Sequence, residues 1–222
     1  MSVIDPYDEL QRQTAEAEAR FVSDSRGATM TVLRRDGGYR HLRFDLPKAS
    51  WEGFELVTWP GTLVVRGGLG CWTFHQDGAD LMHTARPATR DSVRIDPHFW
   101  ENRFTPGGGQ SAKKYSPTRA IALLRAAVAE NDEAHPGLAS AAADELLSPP
   151  ALAELNTEAG LRAALARFHL RHERNGSTGQ GPFRFPVDTW ELDVYDPWFL
   201  LTCAAVPWAV EQHDATAVPV VV

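Results

Sequence analysis

The chain reads as an α+β protein, an N-terminal antiparallel β-meander packed with a mostly helical C-terminal half. Three observations predict this. Five short β-rich runs lie between residues 28 and 75, separated by glycine-rich turns. After the stretch "TPGGGQSAKKYSP" the composition shifts to Ala- and Leu-rich runs with helical spacing. The last long run, "DPWFLLTCAAVPWAVEQHD", is too apolar to stay bare, so it is expected to pack against the sheet. The 222 residues are read as a single domain: sheet-rich over 22–104, a loop at 105–116, helix-rich over 117–214, and a tail at 215–222.

Each element has a local reason. "PYDELQRQTAEAEARF" (6–21) has Pro6 in a first turn, early acids and a late Arg20, the polarity of a helix. "ATMTVLRR" and "YRHLRFDL" flank Asp36-Gly37-Gly38, a hairpin signal because glycine accepts positive φ. Alternation puts Leu42 and Phe44 on one face and His41 and Arg43 on the other. "FELVTW", "TLVVR" and "CWTFH" continue the meander through turns at Trp59–Thr62 and Gly67–Gly70. Short helices are predicted at "ADLMHTAR" and at "DPHFWENRF", where Asp96 caps and Pro97 takes the first helical position. "SPTRAIALLRAAVAEND", "HPGLASAAADELL" and "TEAGLRAALARFHLRHER" read as three helices, the third with Leu161, Leu165 and Phe168 on one stripe. "NGSTGQGP" breaks the chain, "WELDV" is a strand, and Pro207 is expected to kink or shorten the last helix.

Composition excludes several function classes. Net charge is −7, with −2 in residues 1–100 and −5 in 101–222, and the last 38 residues hold six acids and no Lys or Arg. This argues against nonspecific binding to nucleic acid. No run approaches the roughly 18 apolar residues of a membrane span. "MSVIDPYDELQRQ" lacks the pattern of a secretory signal, so the expected location is cytoplasmic. Cys71 and Cys203 are too few for a disulfide framework or a Cys-rich zinc site, and read as reduced thiols. A homo-oligomer is compatible with this composition.

No familiar catalytic or cofactor motif is met. Around Gly67 and Gly68 no Lys follows as in a phosphate-binding P-loop, and Thr73 stands where a dinucleotide fingerprint needs its third glycine. Both flanks are strands, so the segment lacks the helix N-terminus that gathers donor N–H groups. Lys113 and Lys114 beside three glycines read as a flexible linker. His169 and His172 share a helix face that Glu173, four residues on, can join, but a zinc site still needs a ligand from elsewhere; His98 and Glu101 form a similar pair with the same weakness, so no metal is assigned. His213 beside Asp214 suits a helix end. Asp188, Glu191, Asp193 and Asp196 offer carboxylates, with Glu191 and Asp193 on one strand face, but read as solvated. No cofactor is predicted. The tryptophans beside turns form a more coherent pattern, because aromatic anchors dominate protein-binding faces. The predicted recognition residues are Trp59, Arg66, Gly68, Gly70 and Trp72, with Trp190 and Trp198 as further anchors.

Three blocks, "YRHLRFDLPKASWEGFELVTWPGTLVVRGGLGCWTF", "IDPHFWENRF" and "DTWELDVYDPWFLLTCAAVPWAVEQHD", together resemble a family of bacteriophage and prophage proteins common in phages of actinobacteria. The resemblance covers roughly 28–104 and 185–214, and it brings a host-cell context rather than a mechanism. The family pattern carries G-D-x-G where this chain has Gly68 in the acidic position. A turn tolerates that glycine; a catalytic acid would be lost. The family's Met- and Phe-rich helix is reduced here to "ADLMHTAR".

The reading that follows is an accessory protein of phage type that acts by binding a host or defence protein, or a small nucleotide signal, inside the host bacterium, as an inhibitor or counter-defence factor. The alternative is an enzyme acting on a nucleotide or phosphoester, with Asp45, His75, Asp77 and His98 as the first residues to inspect. A third reading, nucleic-acid binding, rests on Arg34, Arg35, Arg40 and Arg43 around one hairpin.

Overall fold

The computed structural model describes residues 6–85, 96–107, 110–169 and 183–216. They form an α+β fold in two compact units. Among the described residues, one contains Tyr7–Ala112 and 195–216; the other holds Pro6 and Lys113–Val194. The sheet unit is therefore built from two separate stretches of the chain.

The sheet unit opens with α1 (Pro6–Asp24), whose Thr14, Ala17 and Phe21 recur at helical spacing and are buried. Five strands follow: β1 (Thr29–Asp36), β2 (Tyr39–Asp45), β3 (Phe54–Trp59), β4 (Thr62–Gly67) and β5 (Gly70–His75). They pair in sequence order, all antiparallel, as the predicted meander. The turns are the glycine turns of the sequence: Gly37, Gly61, Gly67 and Gly70 all have positive φ. The register shifts between Val32 and Arg34, which leaves Leu33 as a bulge on the edge strand. On the other edge, His75 N–H donates to the Arg103 carbonyl at 2.7 Å and Thr105 N–H to that of Thr73 at 2.8 Å, so 103–105 shields part of β5.

One sheet face is dry. Leu42, Leu56, Val65 and Trp72 lie directly opposite one another across β2–β5, and all are buried. This face meets Phe21 of α1 and α8 (Pro197–Ala215), which supplies Phe199, Leu201, Ala205, Val206 and Ala209 to the same core. The expectation that the last apolar helix covers the sheet holds. Asp196 caps α8 through a bond from Trp198 N–H, and the helix runs through Pro207 to Ala215 rather than stopping there. Its buried surroundings offset the bond that proline cannot make. α2 (Leu81–Thr84) and α3 (Pro97–Glu101) are capped by Asp80 and Asp96. Among the described residues no helix is long and apolar enough to cross a membrane.

The helical unit holds β6 (Lys113–Tyr115), α4 (Pro117–Asn131), α5 (Leu138–Glu145), α6 (Pro149–Glu154), α7 (Glu158–Arg167) and, as far as Val194, β7 (Asp193–Tyr195), with β6 paired to β7. Leu124, Leu138, Leu155 and Leu161 centre its core. Four expectations are corrected here. The loop at 105–116 contains a strand, because Lys113–Tyr115 finds a partner far along the chain. The strand predicted at 190–194 begins only at Asp193, after a 3-10 turn at Val187–Thr189. Helix α6, with Pro149 in its first turn, is additional. Helix α7 ends at Arg167, where Phe168 turns to extended backbone. His172, Glu173, the "NGSTGQGP" break and most of the 215–222 tail lie outside the described residues.

Candidate functional site

The outward sheet face carries a row of side chains set by register: Thr31, Arg43, Glu55, Arg66 and Cys71 lie opposite one another on β1 through β5. Glu55 is its hub. It accepts from Arg66 Nε at 2.8 Å and from His41 Nε2 at 2.9 Å, with Arg43 Nε at 3.7 Å. The hydrogen bond from His41, then that from Arg66, holds the Glu55 carboxyl below its ordinary range, against the opposing effect of its partial burial.

Beside this row lies a groove of about 530 Å³. Arg43, Asp45, Glu52, Glu55 and Arg66 line it, with the bare backbone of Gly53 and Gly67 between them. The glycines are there for close approach. A Cβ on Gly53 would overlap the Phe44 carbonyl oxygen, one on Gly67 would stand 2.6 Å from the Gly53 carbonyl oxygen, and one on Gly68 would overlap that of Glu52. Gly68 N–H is already spent on the Gly53 carbonyl at 3.0 Å, so it offers no donor to an anion. The "RGGLG" stretch is a tight turn whose Leu69 is buried.

Arg66 lines the groove, Gly68 follows its Gly67 in the turn, and Trp59, 41% exposed, stands at the opposite end of β3. Trp72 belongs to the core, at 2% exposure; its Nε1 donates to the Leu69 carbonyl at 2.7 Å and props the turn from inside. Gly70 serves the same turn with φ of 99°. Trp190 lies in the helical unit, packed on Phe185. Trp198 is 37% exposed at the start of α8, edge-on to Trp51. The signal that separates Trp72 from Trp59 is strand parity: Trp72 alternates in phase with Phe74, Trp59 in phase with Glu55.

The four hairpin arginines form no free basic patch. Arg34 bonds Asp36 and lies over Tyr39, Arg35 bonds His213, Arg40 makes a two-pronged pair with Asp80, and Arg43 faces Glu55. Burial pushes the Asp80 carboxyl up, but the Arg40 pair and two backbone N–H groups outweigh it and hold it low. Burial lowers the His213 pKa, with the Arg35 charge adding to the effect against Asp214.

The acid–base candidates do not converge. His75 bridges Thr62 Oγ1 at 3.2 Å and Asp77 at 2.9 Å. Asp45 lies in the groove at the other end of the strands. His98 Nδ1 sits 2.9 Å from the hydroxyl of Tyr195, which donates to Glu101 at 2.5 Å. Burial, then that contact with Glu101, keeps the Tyr195 phenol far above its ordinary pKa and hence neutral. Burial likewise raises the Cys203 thiol, while Cys71 is exposed on the outward row. Asp188 pairs with Arg162 and Glu191 with Arg119, whereas Asp196 caps α8. Lys113 and Lys114 lie in β6, and His169 is exposed just past α7. Among the described residues no three His, Cys, Asp or Glu side chains gather as a metal-ligand set. Sequence reasoning missed Glu55, although its outward parity between Phe54 and Leu56 marks it as a solvent-side charge in a hydrophobic strand.

No family model, no curated protein and no solved structure matches the chain. The functional reading therefore rests on the geometry of these residues.

Proposed function

We propose that this protein acts by binding, as an accessory and inhibitory factor, and that its partner is a host protein engaged by the outward face of the β1–β5 sheet; the phage-type resemblance supplies the host-cell context and no mechanism. The observation that carries this is the Arg43–Glu55–Arg66 row beside the groove. Charged side chains are held in fixed geometry by neighbours on the adjacent strands, next to half-buried Val57 and Val64 and exposed Trp59. Such a mixture of aromatic, aliphatic and paired charge matches the makeup of recognition surfaces. A nucleotide signal fits less well, because three carboxylates and two arginines line the groove, and excess carboxylate repels a polyphosphate.

The test is site-specific photocrosslinking in a host bacterium with a photoreactive residue at position 64. A discrete protein adduct that disappears in the R43E/R66E double variant is expected. An adduct indifferent to that double charge reversal, or none, rejects the surface. Mass spectrometry of ligands retained from a nucleotide pool reads the nucleotide alternative directly.

A second reading, hydrolysis of a nucleotide or phosphoester, is favoured by one observation: His75 lies between Thr62 and Asp77, the order of hydroxyl, base and orienting acid that activates a nucleophile. Altered nucleotides that vanish with H75A would establish it. An unaltered pool leaves binding as the function.

A further inference from the structure

We infer that the corner formed by Trp51, Trp198, Arg20 and Asp24 is a binding site for an organic cation, a guanidinium or a methylated ammonium, and that Arg20 occupies it as an internal surrogate ligand. Trp51 and Trp198 meet at a right angle, with ring centroids 6.4 Å apart. Perpendicular indole faces with a carboxylate nearby are the arrangement that holds quaternary and guanidinium cations, since the negative ring faces and the acid add up. The carboxylate is Asp24, whose side chain is only 16% exposed. Its Oδ2 accepts from Trp51 Nε1 at 2.8 Å, which fixes both the acid and the indole plane. The Arg20 guanidinium carbon lies 5.1 Å from the Trp198 ring centre, and its Nε lies 3.6 Å from the same Asp24 oxygen. The molecule itself thus shows which chemistry the corner accepts.

Arg20 is a displaceable occupant. It belongs to the exposed side of α1, its side chain is 44% exposed, and among the described residues its polar and ring contacts are one long ion pair within its own helix and one ring face. Rotating it away breaks no core contact, whereas Trp51 and Trp198 stay in place. Trp51 is backed by Gly68, where a Cβ would come 2.8 Å from its ring. The Trp198 backbone is fixed by its N–H bond to Asp196 at the helix start, and its indole by the edge-on contact with Trp51. The glycine at 68 therefore has a second consequence: it lets Trp51 lie flat enough to form one wall. An overall charge of −7 favours a cationic ligand. This site is distinct from the outward sheet face and does not depend on the reading given above.

The full chain carrying 5-fluorotryptophan is titrated with tetramethylammonium chloride, with sodium chloride as the control, and 19F resonances are followed; W51F and W198F assign the two signals. In R20A the Trp51 and Trp198 resonances are expected to shift saturably, with half-saturation about fivefold or more below that of the intact chain, because the internal competitor is gone. R20Q, which keeps the bulk of the side chain and removes its charge, is expected to behave the same way. D24N in the R20A background should weaken binding again. Peptides bearing a trimethyllysine or an arginine, against the same peptide with leucine, separate a partner's side chain from a free small cation. Shifts in R20A and R20Q no different from those with sodium chloride, or half-saturation unchanged from the intact chain, overturn the inference and leave Arg20 as a structural clamp.

Discussion

The backbone carbonyl oxygen of Glu52 occupies the place that a Cβ on Gly68 would need. The two backbones touch because the β4–β5 turn folds over the segment that enters β3, and Gly68 N–H closes the contact on Gly53. Any side chain at 68 must push the Glu52 peptide or the Trp51 ring aside. G68A is expected to lose about 1–3 kcal/mol by overpacking, and G68D, which adds a larger and charged side chain, should lose more. Urea denaturation measures both; a G68D as stable as the parent chain would contradict this geometry.

Glu55 makes the outward row pH-dependent. Its folded pKa lies below the ordinary 4.5 because His41 and Arg66 bond the charged form. A depressed carboxylate contributes stability that is present above its unfolded pKa and lost as the pH falls through the folded value. The stability difference between the parent chain and E55Q should therefore be largest near neutral pH and shrink below about pH 4.5. Equilibrium unfolding across that window checks it, and a difference that does not change with pH would refute the link.

His213 acts on a higher window. Burial and the Arg35 charge hold its folded pKa below the ordinary 6.5. The unfolded chain therefore takes up a proton that the folded chain refuses, and stability falls as the pH drops below about 6.5. H213Q should flatten that slope without removing the Glu55 transition. Urea midpoints from about pH 7.5 to pH 5.5 report the difference; parallel profiles would count against it.

Trp72 and Trp59 should separate cleanly. W72A removes a core indole and is expected to cost about 3–5 kcal/mol, and W72F about 1 kcal/mol through the lost bond to Leu69. W59A should stay within about 0.5 kcal/mol of the parent while lowering the yield of the position-64 crosslink. Loss of stability in W59A equal to that in W72A would place both in the core.

The sequence by itself determined the meander and the helix starts. Pro60-Gly61, Gly67 through Gly70 and Asp36-Gly37 each act within a few residues, as do the caps at Asp96, Ser116 and Asp196. Turn and cap chemistry is local, so it can be read without knowing the fold. Parity with Phe74 puts Trp72 on the buried face, which corrects its place among the predicted recognition anchors. What only the tertiary structure decided are the relations between distant segments. Lys113–Tyr115 becomes a strand because β7 lies some eighty residues later. Glu55 becomes a hub only when β2 and β4 flank it in register. Arg20 reaches Trp198 across 178 positions, with no periodicity or motif to connect them. Packing sets such pairs through burial and register, which are properties of the whole chain rather than of any window along it.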